Sequence, residues 1–354
     1  MLKIKLDYRY FLLIAVPFAF LAPTLGLGEI GQFVLSAVAI IPLAGFIGEA
    51  TEELAAHTGP KVGGLLNATL GNAAELIITL IAIREGVLEL VIASITGSIL
   101  GNLLLVMGLS ILLGGLRNGV QKFDAGQASG HATMLILAIA AIMVPAIFEH
   151  TIGLTHPDDL QAFSLGISVV MILIYALGIY YSFFSRDNQS PLERAAAHVH
   201  EPRWPVRTAV VVLAVATVGI VLMSELLVGT VEHTAEALGW SEFFIGIIIV
   251  PLVGNVAEHL VAVQVAIKNQ MDLSTEIAMG SSLQIALFVA PVLMFAAALM
   301  GQPLSFAFNE FELVTLGAAG IVAVFVFKDG RTNWLEGAQL LALYTIIAVA
   351  FYYL

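Results

Sequence analysis

The sequence predicts an all-α polytopic membrane protein of eleven transmembrane helices, one N-terminal helix followed by two inverted five-helix repeats. Three observations carry this prediction: an apolar composition, a succession of apolar runs of bilayer length, and an internal repeat whose copies run in opposite directions. Of 354 residues, 59% are hydrophobic and 11% charged. Mean hydropathy is +0.98, outside the range of soluble globular domains.

Apolar runs of about 17–25 residues, the length that crosses a hydrocarbon core as a helix, centre near Phe18, Val38, Asn72, Gly101, Leu137, Val170, Val215, Asn255, Leu287, Gly320 and Tyr344. The opening M-L-K-I-K-L-D-Y-R-Y is basic and leads into an apolar segment with no small-residue cleavage site, so the first span is expected to be retained. The organisation expected is an N-terminal helix over 1–28, a first five-helix half over 29–184, a polar cytoplasmic linker over 185–206 and a second half over 207–354. With the N-terminus in the cytoplasm and the C-terminus on the opposite side, all basic residues except Arg84 fall in inner loops, as the retention of Lys and Arg in cytoplasmic loops requires.

The net charge of −12 offers no basic stripe to phosphates and excludes nucleic acid as a partner. Cysteine is absent, so a bound metal must use oxygen or imidazole ligands. There is no H-E-x-x-H motif and no serine with a convincing histidine partner, so an enzyme is not expected.

Laying residues 49–104 on 232–287 without a gap superposes Glu49 on Glu232, Thr51 on Thr234, Glu53 on Glu236, Gly71 on Gly254, Asn72 on Asn255, Glu75 on Glu258, Gly97 on Gly280 and Ser98 on Ser281. The second span descends where its counterpart, the seventh, ascends. Inverted repeats of this kind characterise secondary transporters, with the substrate site at the midplane where the halves meet.

The motifs G-N-A-A-E (Gly71 to Glu75) and G-N-V-A-E (Gly254 to Glu258) each place a carboxylate near the middle of a span. Each costs about 2.5–3.5 kcal/mol on insertion scales. No Lys or Arg lies inside a span to offset that cost. The remaining counter-charges are protons and a metal ion. Two neighbouring carboxylates in low dielectric do not comfortably stay ionised together, and a divalent cation that neutralises both displaces their protons.

Gly71, Gly254 and Pro251 loosen the helices and free backbone carbonyls toward a cavity. G-S-I-L-G-N (Gly97 to Asn102) and G-S-S-L-Q (Gly280 to Gln284) bring hydroxyl and amide oxygens to a similar depth. A set of hard oxygens at loose geometry suits Ca2+ better than Mg2+. Glu49, Glu52 and Glu53 at the inner end of the second span, and Glu232 and Glu236 at the outer end of the seventh, are candidate cation attractors on the two sides.

G-N-A-A-E-L-I, G-N-V-A-E-H-L-V-A-V, K-N-Q-M-D-L and G-S-S-L-Q-I-A-L-F-V-A-P closely resemble the two alpha-repeats of the calcium/proton exchanger family, within the calcium/cation antiporter superfamily. The resemblance covers essentially the whole chain. It implies exchange of Ca2+ for H+ by alternating access, Glu75 and Glu258 as metal and proton acceptors, and Gly71, Asn72, Gly254 and Asn255 shaping the site. It also implies His259, Ser281 and Gln284 at or beside the coordination sphere; Ser98 and Asn102 are secondary candidates. Sodium-coupled relatives carry a Pro-Glu pair that is absent here, and the linker lacks the strongly acidic helix of many eukaryotic relatives. No prosthetic group is expected; Ca2+ and H+ are cargo, the lipid bilayer is the medium, and a homo-oligomer stays open. The expected location is the cell membrane of a prokaryote.

Overall fold

The computed structural model describes residues 8–58, 60–148, 157–184 and 202–354. Most of the linker expected over 185–206 lies outside the described residues, as do Lys3, Lys5, Arg186 and Arg194 of the inner-loop assignment.

In chain order the helices are α1 (Arg9–Leu21), α2 (Gly28–Thr58), α3 (Pro60–Leu70), α4 (Ala73–Glu85), α5 (Leu88–Asn118), α6 (Ala125–Phe148) and α7 (Pro157–Phe184). There follow α8 (Val206–Gly229), α9 (Val231–Leu238), α10 (Glu242–Gly254), α11 (Val256–Ile267), α12 (Met271–Met300), α13 (Glu310–Phe327) and α14 (Trp334–Tyr352).

Among the described residues, eight helices are long and apolar enough to cross a membrane alone: α2, α5, α6, the Leu160–Tyr181 stretch of α7, α8, α12, α13 and α14. The other three expected spans take different forms. The first is the short α1, about 20 Å at 1.5 Å per residue. The third and eighth, centred on Asn72 and Asn255, are each broken at that asparagine, into α3 with α4 and α10 with α11. After the seventh expected span, α9 and α10 meet at 111°.

The breaks follow from the local sequence. Gly71-Asn72 and Gly254-Asn255 combine a residue that destabilises helix interiors with one whose side chain prefers to bond outside the helix. Asn72 (φ −99°, ψ 27°) and Asn255 (φ −109°, ψ 6°) both leave helical geometry. Neither side chain caps the helix that follows, which leaves both free to reach across the molecule.

The gapless alignment that superposes the motifs also carries α4 onto α11. It carries a π turn at Gly101–Val106 in α5 onto one at Ile285–Val289 in α12. A third π turn, Ile245–Ile249, precedes Pro251, whose missing N–H cannot bond the Ile247 carbonyl in α register.

Contacts sort the loops to two ends. At one end, Gln121–Lys122 (β1) pairs antiparallel with Arg331–Thr332 (β2), and Gln121 Nε2 donates to the Ala266 carbonyl at 2.8 Å. At the same end of its own helices, Arg9 meets Glu49 at 2.8 Å and Arg203 meets Glu53 at 3.2 Å. At the other end Arg84 meets Glu225 at 3.0 Å, and Gln161 donates to the Gln302 carbonyl at 2.9 Å. The first group holds the loops assigned to one side by their basic residues, and the second holds those assigned to the other.

Small residues let the long helices approach one another, as is common where lipid removes the hydrophobic drive for association. Leu43 of α2 packs on Gly219 of α8, and Gly108 and Gly337 bring α5 against α14. Exposed apolar side chains such as Leu299, Phe325 and Val215 cover the outside, as a lipid-facing surface requires.

Candidate functional site

Glu75 and Glu258 each stand in the first turn of the helix that follows a break, α4 and α11 respectively. The first N–H groups of a helix have no intrahelical acceptor, and the helix dipole favours negative charge there. The breaks therefore place each carboxylate where the backbone itself moderates its cost, with no basic side chain. Among the described residues, neither glutamate forms an ion pair with a lysine or arginine.

The two halves interlock at this point. Gly71 lies against the Glu258 carboxylate of the other half: a Cβ added at Gly71 would sit 3.2 Å from Glu258 Oε1 and 3.3 Å from Gln284 Oε1. Gly254 lies against Glu75, with 3.7 Å from an added Cβ to the Glu75 Cβ. Each motif's glycine thus makes room for the other motif's glutamate. The asparagines cross in the same way. Asn255 Nδ2 donates to Glu75 Oε2 at 3.2 Å and approaches Ser98 Oγ at 3.4 Å, while Ser281 Oγ donates to Asn72 Oδ1 at 3.0 Å.

Departures from this two-fold pattern distinguish the two carboxylates. Glu75 is 1% exposed and accepts from the Ser98 hydroxyl, from Ser94 at 3.3 Å and from Asn255. Glu258 has a buried Oε2 with no hydrogen-bond partner, and nearby the Asn72 and Gln284 amide nitrogens are also unpartnered. One carboxylate is held by donors, and the other is left with acceptor capacity.

Glu258, Gly71, Ser281 and Gln284 form the floor of a cavity of about 620 Å3 whose mouth carries Arg9, Glu49, Glu52 and Arg203. Glu75 is not part of its wall. The cavity therefore opens at the end bearing the basic residues and reaches Glu258 before Glu75.

The other sequence candidates divide. Ser98 and Ser281 bond across helices and not to their own backbone; Ser282 does the latter, at 2.9 Å from the Ala278 carbonyl. Asn102 donates to Ser281 Oγ at 3.1 Å. His259 Nε2 meets Asn102 Oδ1 at 3.2 Å, which sets it behind the serine–asparagine chain.

Of the candidate attractors, Glu52 lines the cavity, but Glu49 and Glu53 are engaged in ion pairs. Glu49 pairs with Arg9 and Arg203. Glu53 is fully buried and accepts the Arg203 and Trp204 backbone N–H groups at 2.7 and 3.0 Å as well as the Arg203 side chain. A carboxylate so occupied anchors the chain after the linker. Glu232 and Glu236 lie exposed on α9, away from the cavity.

The sequence reading missed Ser94, one helical turn before Ser98 and on its face; that spacing was the available signal. It also missed Glu276 and His131, which line the cavity, and Glu312. Glu312 is 1% exposed on α13, where it accepts from Thr96 at 2.8 Å and caps its own helix with Asn309.

Residues 28–184 and 208–353 match the sodium/calcium exchanger protein family. The chain is 43% identical to the Ca(2+)/H(+) antiporter of Aphanothece halophytica, covering 97% of this chain and 95% of that one. It is 43% identical to the Ca(2+)/H(+) antiporter ChaA of Bacillus subtilis (strain 168), covering 98% and 99%. Among solved structures, native YfkE superposes with a TM-score of 0.85 at 40% identity, covering 98% of this chain and 100% of that one. The H+/Ca2+ exchanger CAX shares the fold with a TM-score of 0.73 at 18% identity, covering 98% and 93%. The crossed glutamates, the broken helices and these likenesses agree: the chain belongs to the sodium/calcium exchanger protein family, in its calcium/proton exchanger group.

Proposed function

We propose that the protein is a secondary transporter that exchanges Ca2+ for H+ by alternating access, with Glu75 and Glu258 taking up the metal or protons in competition. The observation that carries this reading is the crossed pair itself. Two carboxylates, one from each half, sit at helix breaks in an apolar chain with no basic residue paired to them among the described residues. Such a pair needs neutralising, and only mobile positive charges are at hand.

Ca2+ enters the open cavity from the cytoplasm, meets Glu258 first, and gains Glu75 as the halves close over it. Ser98, Ser281, Asn72, Asn255 and Gln284 supply oxygens or hold the carboxylates in place, and the carbonyls at the ends of α3 and α10 add to a hard-oxygen set. Metal binding releases the protons; after reorientation, protons from the other side displace the metal. In this reading the chain is N-in, C-out in the cell membrane and its cavity faces the cytoplasm. The relatives named as Ca(2+)/H(+) antiporters support the choice of ions.

The test is 45Ca uptake into everted vesicles driven by an imposed pH gradient. Wild type should accumulate 45Ca, and Glu75→Gln and Glu258→Gln, which keep the side-chain volume and remove the charge, should each abolish uptake. Uptake that survives in either variant, or that persists after the gradient is collapsed, refutes the exchange mechanism.

A further inference from the structure

The cavity wall carries a carboxylate and an imidazole that the exchange mechanism leaves unused. On α12, Glu276, Gly280 and Gln284 recur at four-residue spacing, so they share one helix face, and all three line the cavity. Glu276 is thus two helical turns from the floor, on the same stripe as Gln284. Gln127 of α6 donates to Glu276 Oε2. His131, one turn further along α6, points its Nδ1 toward the same oxygen at 3.8 Å. That Nδ1 is buried and makes no hydrogen bond. The distance is too long for a hydrogen bond, and the pair is within ion-pair range once the ring is charged.

We infer that Glu276 and His131 form a proton-responsive electrostatic element in the vestibule: Glu276 raises the local concentration of divalent cations above Glu258, and protonation of His131 cancels that attraction. Imidazole is the side chain whose charge changes between about pH 5 and 8. A carboxylate in a low-dielectric recess focuses its field on the cavity, and a cation 3.8 Å from it removes most of that field. This element would slow cation loading when the side it faces turns acidic, independently of proton competition at the deep glutamates.

The other charges around His131 do not duplicate the role. From α12 the facing group is Glu276, with Asp272 one turn earlier accepting from the Asp124 N–H at 2.6 Å at the end of the helix pair, and from α7 it is Tyr175, which lines the same cavity. The π turn Ile285–Val289 has no titratable residue. The acids of α13, Glu310 and Glu312, sit at its opposite end, since α13 meets α6 through Gly320 on Ile136 and Ile139, and Phe327 meets Phe123 at the near end. Arg9, Glu49, Glu52, Arg203 and Glu258 share the cavity, and the first four of these form its mouth.

The inference rests on the exchanger reading, and its test separates the two. Purified protein in detergent is titrated with 45Ca at pH 8 and pH 6 in low salt, with His131→Gln as the permanently neutral form and His131→Arg as the permanently charged one. At pH 8 His131→Gln should bind as wild type does, and His131→Arg should bind about three- to tenfold more weakly, as should Glu276→Gln. At pH 6 wild type should fall below His131→Gln. The differences should shrink at about 0.5 M salt, where exposed charges are screened. Uptake driven by a pH gradient at saturating Ca2+ should be retained in all three variants, which shows that they are folded.

Equal affinities for His131→Arg and His131→Gln at pH 8, identical pH profiles for wild type and His131→Gln, or undiminished affinity in Glu276→Gln each overturn the inference. If those variants match wild type while Glu258→Gln is inactive, this element alone is refuted. If Glu258→Gln still exchanges Ca2+ for protons, the deep-site reading fails instead.

Discussion

At the scale of single residues, the space beside each motif glycine sets how far that position tolerates a side chain. Gly71 and Gly254 occupy equivalent positions, yet a Cβ at Gly71 would stand 2.9 Å from the Asn67 carbonyl and 3.2 Å from Glu258 Oε1, while one at Gly254 would meet nothing closer than 3.7 Å. The Asn67 carbonyl is backbone and already accepts the Gly71 N–H at 2.9 Å, so it cannot retreat cheaply; the Gly71 backbone must shift, and the Glu258 carboxylate must give way by a few tenths of an ångström. Gly71→Ala should therefore lower 45Ca uptake at limiting Ca2+ by about tenfold, since misplacing a positioned group by about 1 Å costs about 100-fold and the shift here is smaller, and Gly254→Ala should keep most of it. Equal losses in the two variants would show that the glycines act only through helix flexibility. The pairing of each glycine with the opposite glutamate was not legible in the sequence, because an alignment of the halves reports equivalence and not contact. The placement of Glu75 and Glu258 within interrupted spans was legible, since a carboxylate in an apolar run without a cation stands out in any register. The ion pair of Glu53 was not legible, because its partner, Arg203, is 150 residues away in the chain.

At the scale of elements, the breaks at Asn72 and Asn255 could be read from Gly-Asn inside an apolar run, whereas the three π turns could not. A π turn adds one residue to a helix without any compositional mark. Gly97 and Gly280 are equivalent in the alignment of the halves, and their neighbours set them apart. Gly97 of α5 takes the backbone carbonyl of Ile247 directly against its Cα, and the added atom would overlap it; Gly280 has nothing within 4 Å and faces the cavity. The carbonyl on Gly97 is the one that Pro251 leaves without its α-helical donor, so the Gly-Pro pairing joins the second half's broken span to the first half's α5. On the opposite face of α5, Thr96 is tied to Glu312 of α13, and on the near face Ser94 and Ser98 hold Glu75. A helix fixed on both faces has no room to yield. Gly97→Ala should lower the thermal midpoint of the detergent-solubilised protein, in line with overpacking costs of about 1–3 kcal/mol or more, and Gly280→Ala should leave that midpoint within about 1 °C. A stable Gly97→Ala protein would mean that the α5–α10 contact is not tight in solution.

At the scale of the whole molecule, the placing of basic residues and the contacts between loops agree on which ends belong together, and the cavity adds a direction. Its mouth carries Arg9, Glu49 and Arg203, at the end where the first span, the second span and the start of α8 converge. The basic residues predict an orientation, because positive charge is retained on one side during insertion, but they do not select the open end: a carrier that opens alternately to two sides must encode both states in one set of buried faces. Orientation and open state can be checked together because the chain has no cysteine, so a single introduced thiol reports one position. Gln264 is exposed on the cavity wall, and Glu236 is exposed on α9 at the other end. In everted vesicles, whose cytoplasmic face is outermost, a membrane-impermeant maleimide should label Gln264→Cys readily and Glu236→Cys hardly at all, and intact cells should give the reverse. On the proposed mechanism, in which an ion held between Glu75 and Glu258 draws the halves together over the cavity, saturating Ca2+ should slow labelling of Gln264→Cys. Labelling of Glu236→Cys from the cytoplasmic face would invert the whole assignment, placing the vestibule and its histidine on the outer side. Fast labelling of Gln264→Cys from both faces would instead describe a continuous pore, and with it the loss of any need for protons to turn the carrier.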